Sequence, residues 1–176
     1  MDKSDLIAQL EAIKINYISV FAVYIMFLDE KSYSFLQNKS VEFDDHRKLK
    51  VGIIAELMSN KTVNEKARKE FINMGLRSFI RESFEIIQDY CKNSHQMKKF
   101  NETKWFNFAR LIRNCFSHNF KFILTESDVE RLPIKWRNKE IKLDMKNTVL
   151  NLQFFGYLEA FDLFEDMYQF VIKELN

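Results

Sequence analysis

Residues 103–119, TKWFNFARLIRNCFSHN, decide how the chain folds. Placed at 100° per residue, Trp105, Phe108, Ala109, Ile112 and Phe116 fall within about 80° of one another, the apolar stripe of a helix with one buried face. Arg110, Arg113, Asn114 and Ser117 fall on the opposite side. The spacing predicts a helix over about 103–116. It should end at SHNF (117–120), a stretch with no strong helix former.

Upstream, Leu76, Ile80, Phe84, Ile87 and Cys91 recur at steps of four, four, three and four, which is one face of a second helix. TVNE (62–65) has the form of a capping box that opens it, so this helix is expected over about 62–91. On its other side Arg77, Arg81 and Glu85 follow the spacing of solvated or paired charges. Residues 92–104 read as a basic connector. Downstream, LPIKWRNKEIKLD (132–144) carries two short alternating runs and predicts a small β-hairpin. A final helix is expected over about 148–173, its inner face formed by Leu150, Phe154, Tyr157, Phe161, Phe164, Tyr168 and Val171.

The first helix is expected over about 4–28, with Ser4 as its cap. Residues 29–50 are polar and broken and read as a loop with a short turn of helix, followed by a short helix near 49–58. The apolar run INYISVFAVYIMFL (15–28) has 14 residues, short of the ~18 a membrane span needs. It reads as a helix buried on most sides. The N-terminal MDKSDLIAQLE is acidic, lacks a cleavage site and does not read as a signal peptide.

Composition agrees with this plan. The chain has 176 residues, enough for a single domain over 1–176 with one core. With 18 Phe but only 3 Gly and 1 Pro, it has little material for the turns of a many-stranded sheet. The fold class expected is therefore all-α, a helical bundle with a hairpin before its last helix. A net charge of +2 leaves a polyanion site only as a local patch. Cys91 and Cys115 form no disulfide framework, and no CxxC or HExxH motif appears, so no metal or cofactor is expected and a reducing cytoplasm fits best. Cys115 borders the core face and reads as a small buried hydrophobe. His46 and His95 have no partner pattern and read as surface residues; KARK (66–69) and MKKF (97–100) read as solvated faces, with the lining of an RNA path as the alternative.

The polar side of the central helix carries the chemistry. Arg110, Asn114 and His118 form an i, i+4, i+8 row. Arginine offers a permanent planar charge for a phosphate, and histidine titrates near neutrality and can move a proton in phosphodiester cleavage. Asn114 can orient the imidazole or hydrogen-bond the phosphate. Arg113 and His118 lie ~140° apart on an ideal helix. They converge only if the helix ends near Ser117, or if a second copy completes the site. Ser117 has no histidine–acid motif to make it a nucleophile and reads as a helix-end hydrogen bonder. Arg110 divides evenly between a salt bridge to a neighbouring helix and a secondary phosphate role.

Arg113-Asn114-Cys115-Phe116-Ser117-His118 resembles the signature of the HEPN superfamily, an Arg, commonly a polar residue after it, and a His following four to six intervening residues. The setting, late in an α-bundle with a long helix after it, is similar as well. The resemblance, which covers about 76–170, implies a metal-independent endoribonuclease. It implies toxin–antitoxin, abortive-infection or other defence roles, and a homodimer whose two motifs face one another. In that frame Arg113, Asn114 and His118 are the catalytic residues, Arg110 and Ser117 secondary contacts to RNA, and an antitoxin or defence partner protein is possible. Members silenced by a nucleotidyltransferase antitoxin carry Tyr two residues after the motif His. Phe120 stands there, without a hydroxyl to modify. The alternatives are a silent module of the same fold that binds nucleotide, nucleic acid or protein, and a helical scaffold without a site.

Overall fold

The computed structural model describes residues 1–44 and 47–176, so His46 lies outside the described residues. The fold is mostly α-helical with two small antiparallel hairpins. In order, it comprises α1 (Lys3–Met26), α2 (Glu30–Leu36), β1 (Ser40–Asp44), β2 (Arg47–Lys50), α3 (Ile53–Ser59) and α4 (Lys61–Asn93). Then follow α5 (Met97–Asn101), α6 (Phe106–Ser117), α7 (Glu126–Val129), β3 (Ile134–Trp136), β4 (Lys139–Ile141), a 3₁₀ turn (Leu143–Met145) and α8 (Tyr157–Glu174). The chain divides into two compact units, Met1–Ile15 with Leu76–Asn176, and Asn16–Gly75.

The first unit has a dense aromatic core. The predicted α4 stripe is buried throughout, from Leu76 to Cys91. Phe79 stacks on Phe164 of α8 at 4.8 Å, and Phe108 of α6 stacks on Trp136 at 5.0 Å. Phe100 makes edge contacts with Trp105 and Phe106. The hairpin forms where the alternation placed it, pairing Ile134 with Ile141 and Trp136 with Lys139. It is tied to α8, since Trp136 Nε1 donates to Asp166 Oδ2 at 2.8 Å and Arg137 bridges Asp162 and Asp166. The basic connector is not structureless: α5 forms within it and buries Phe100.

The last helix begins nine residues later than its expected start. Residues 147–150 instead pair with 120–122: Asn147 N donates to Phe122 O at 2.7 Å and Leu150 N to Phe120 O at 2.6 Å. Tertiary backbone pairing overrides a helical-looking pattern here. The helix opens at Gly156, whose N–H donates to Glu159 Oε2 at 3.0 Å. Its buried face is Ala160, Leu163, Phe164, Met167, Phe170 and Val171. Phe161 and Tyr168, expected in the core, sit at its margin, where the Lys14 ammonium lies 6.0 and 5.8 Å from their rings.

The second unit corrects more of the sequence reading. The short turn of helix expected after α1 forms as α2, but residues 40–44 and 47–50, expected as loop, pair as the β1–β2 hairpin. The alternation in SVEFD and RKLK was present, but its charges hid it, and cross-strand pairs such as Lys48 Nζ–Glu42 Oε1 at 2.5 Å join the strands. Asn60, not Thr62, caps α4: its Oδ1 accepts from Thr62 N at 3.1 Å and Val63 N at 3.2 Å, which leaves Thr62 inside the helix. Helix α1 is not buried on most sides. It runs 24 residues, long and apolar enough by length and composition to match a membrane-crossing helix, yet only 17% of its most apolar window is buried. Ile18, Ile25 and Met26 are exposed, as are Phe35, Phe43 and Leu57 elsewhere in this unit.

Within this unit α1 and α4 approach closely at Gly75, and the Arg68 guanidinium of α4 lies 5.6 Å from the Tyr24 ring of α1. A Cβ added at Gly75 would meet the two Val20 methyls at 2.7 and 2.9 Å, and valine in a helix has no free rotamer to retreat into. Gly75→Ala should therefore destabilise the protein by about 1–2 kcal/mol, although alanine is the better helix former by ~1 kcal/mol. Urea unfolding of the single variants and of Gly75→Ala/Val20→Ala checks this. The double variant should recover much of the loss, and simple additivity would refute the steric account.

Candidate functional site on the polar face of α6

Helix α6 is fixed by its apolar side. Phe108, Ala109, Leu111, Ile112, Cys115 and Phe116 are buried, and the Cys115 thiol is pushed up to about 12 by burial, which leaves it an inert core residue. Cys91, equally enclosed, rises to about 11 for the same reason. The polar side chains therefore project from a rigid support.

The helix stops where the sequence indicated. Ser117 is its last residue, and the His118 N–H is shared between the carbonyls of Asn114 and Cys115, both at 3.1 Å. Asn119 and Phe120 then take left-handed backbone angles, φ 53° and 62°, a conformation that Asn tolerates far better than a bulky side chain. Phe120 is held there by an edge contact with Phe116 at 5.1 Å and by the Arg77 guanidinium 5.5 Å from its ring. His118 consequently stands exposed at the helix end, on a turn whose next side chain is anchored.

The two arginines have different surroundings. Arg110 forms an ion pair with Asp128, whose side chain is only 3% exposed. Asp128 also accepts from Thr125 N at 3.0 Å and Thr125 Oγ1 at 2.7 Å, while its own N–H donates to Thr125 Oγ1 at 3.2 Å. This is the capping box of α7. Burial by itself would raise the Asp128 carboxyl, but the hydrogen bonds from Arg110 and Thr125 and the guanidinium charge bring it below the usual carboxylate range. The salt-bridge reading of Arg110 thus holds.

Arg113 is gripped weakly. Its guanidinium lies 5.2 Å from the Phe84 ring centroid and 3.9 Å from Glu85 Oε1, a carboxylate that also accepts from Arg81 Nε at 3.2 Å. Its Nε is buried with no hydrogen-bond partner among the described residues. Desolvation lowers its proton affinity, Glu85 opposes this, and the positive charges of Arg110 and Arg81 add to the lowering. Ser117 is exposed, its hydroxyl donating to the Arg113 carbonyl at 3.1 Å, the helix-end bond expected of it. Asn114 is half-buried on the same face.

The single chain therefore collects Arg110, Arg113 and Asn114 on one helix face and sets His118 beyond its end. No hydrogen bond joins Arg113 to His118 among the described residues. The sequence reading missed Asp128, Thr125 and the Phe84–Glu85 platform under Arg113. TESD (125–128) has the T-x-x-D form that would have flagged the first two. Comparison of the chain with protein-family models, with curated proteins and with solved structures finds no match.

Asp128→Asn should lower stability by about 1–3 kcal/mol near neutrality. A carboxylate depressed in the folded state contributes fully above its unfolded value of ~3.9 and loses that contribution as pH falls through the lower folded value. The gap in Tm between wild type and variant should stay level above about pH 5 and close below about pH 4. A gap independent of pH would show that the ion pair is not its source.

Proposed function

We propose that the protein is a HEPN-like, metal-independent endoribonuclease that acts in the cytoplasm as a homodimer. The observation that carries this reading is the ending of α6 at Ser117. It leaves His118 exposed beside a face on which Arg113 is partly desolvated and, among the described residues, paired with a single distant carboxylate. A half-buried guanidinium short of hydrogen-bond acceptors favours a dianionic or phosphodiester oxygen over water.

In this reading Arg113 neutralises the scissile phosphate. His118 takes the proton of the ribose 2′-OH, and the 2′ oxygen attacks the adjacent phosphorus as the P–O5′ bond breaks. The leaving 5′ oxygen takes a proton from a second imidazole, the His118 of the other copy. The products are a 2′,3′-cyclic phosphate and a 5′-hydroxyl. Asn114, one turn from Arg110, orients the imidazole or the phosphate. Two copies meet the angular difficulty, because each helix offers Arg and His on different sides. Phe120 packs on Phe116 and carries no hydroxyl, so control by nucleotidylation at that position is not part of the proposal.

The second reading is a silent module that binds nucleotide, nucleic acid or protein. The lack of a hydrogen bond between Arg113 and His118 among the described residues favours it, since one copy of the chain does not assemble the catalytic pair.

RNA incubated with purified protein in EDTA separates the two. Wild type should cleave and leave 2′,3′-cyclic ends, and His118→Ala should slow cleavage by about 10²-fold or more while keeping its circular dichroism and mass in solution. No wild-type cleavage of structured or single-stranded RNA would move the protein to the silent class. Equal cleavage by both proteins would remove His118 from the site.

A further inference from the structure

Beside Arg110 the surface opens into a pocket of about 530 Å³ between α6 and the α7 turn, lined among others by Phe106, Asn107, Arg110, Ser127 and Arg131. That is within the range of pockets that hold small organic ligands. We propose that this pocket is a phosphate-binding subsite for a nucleotide, in which Arg110 and Arg131 hold the anion and Asp128 positions Arg110. Its use by RNA rests on the ribonuclease reading; its anion chemistry does not.

Three observations lead to this. First, the ionisable lining residues are Arg110, Arg131 and Asp128, a net charge of +1. Second, the one carboxylate is closed to a ligand: Oδ1 is taken by Arg110 and Oδ2 by the Thr125 N–H and hydroxyl, with 3% of the side chain exposed. The pocket therefore faces a ligand with cationic donors and with its acid already spent inside. Third, Arg110 gives one N–H to Asp128 and keeps 22% of its side chain exposed, so its fork is oriented yet still has donors to offer. Arg131 is exposed and makes no ion pair among the described residues.

The choice of a nucleotide over a simple carboxylate follows from what surrounds the cations. Phe106, half-buried and packed against Phe84 and Phe100, lends the pocket a firm aromatic wall on which a base can stack. Asn107 and Ser127 add short polar side chains for sugar or base edges. Arg110 and Arg113, three residues apart, have Cβ atoms ~5–6 Å from one another. A chain held with one phosphate at Arg113 can thus place a neighbouring phosphate at Arg110.

Binding measured at several salt concentrations tests the subsite. The probes are a 2′-O-methyl RNA 12-mer, which lacks the attacking hydroxyl, and free 5′-AMP. Arg131→Gln should weaken binding of oligomers of different sequence by a similar factor and flatten the slope of log K against log salt by ~0.7, the loss of one phosphate contact on a single strand. Arg110→Lys should weaken binding with the slope nearly kept, because the charge stays and the fork is lost. An unchanged slope in Arg131→Gln, when Arg113→Ala reduces it, would put the pocket off the RNA path and overturn its use by RNA. Binding of 5′-AMP but not RNA, abolished by Arg131→Gln, would support the subsite as a free-nucleotide site and count against the ribonuclease reading. Binding of neither probe would overturn the subsite, while the ribonuclease reading would still be decided by cleavage in EDTA.

Discussion

The site depends on the burial of one face of α6. Phe108 against Trp136 and Phe155, and Phe116 against Phe155 and Phe120, lock the helix about its axis. A helix fixed on one side has no freedom to turn the other, so Arg110, Arg113 and Asn114 point where the core makes them point. The same contacts fix where the helix ends, because Phe116 and Phe120 lie on either side of the turn that carries His118. Packing energy from the apolar face thereby becomes positional precision on the polar face, and the buried, unpartnered Arg113 Nε is part of what that precision costs.

This is also why α6 was legible in the sequence. A helix buried on one face and wet on the other leaves an unmixed periodic signal, and its end was marked by residues poor at continuing it. The α4 stripe and the β3–β4 alternation were legible for the same reason: each has one buried and one open side. Where both sides are open, as in β1–β2, alternation survives but looks like a charged loop. Where apolar residues are not buried, as along the outer face of α1, hydrophobicity alone gives the wrong answer. Composition reports what a segment could bury, and only the rest of the chain decides whether it does.

Caps and connections were harder, because they depend on competition between neighbours. The stretches 62–65 and 125–128 both have capping-box form. The first fails because Asn60 stands two residues earlier and accepts from the Thr62 and Val63 N–H groups, which starts the helix before Thr62 can cap it. The second forms, and its acid reaches a residue of α6 that is 18 positions away in the chain. No local pattern contains that contact. The start of α8 was misplaced for a related reason, since residues 147–150 find backbone partners in 120–122 that a periodicity count does not see.

The two arginines show how one helix face can divide its labour. Arg110 is paired at close range with a buried carboxylate whose two oxygens are both engaged, so removing either partner would strand the other. Such a guanidinium is fixed in direction and suits recognition of an anion that always arrives from the same side. Arg113 rests on an aromatic ring, shares a distant carboxylate with Arg81 and keeps a buried N–H without an acceptor. Its desolvation has already been met by the folding of the core, and little must be undone before an anion binds. A guanidinium in that condition gains more from a developing negative charge than a fully solvated one does, because less water has to reorganise around it. In the proposed chemistry the firmly held arginine is therefore the positioning cation, and the loosely held one is the cation that meets the transition state.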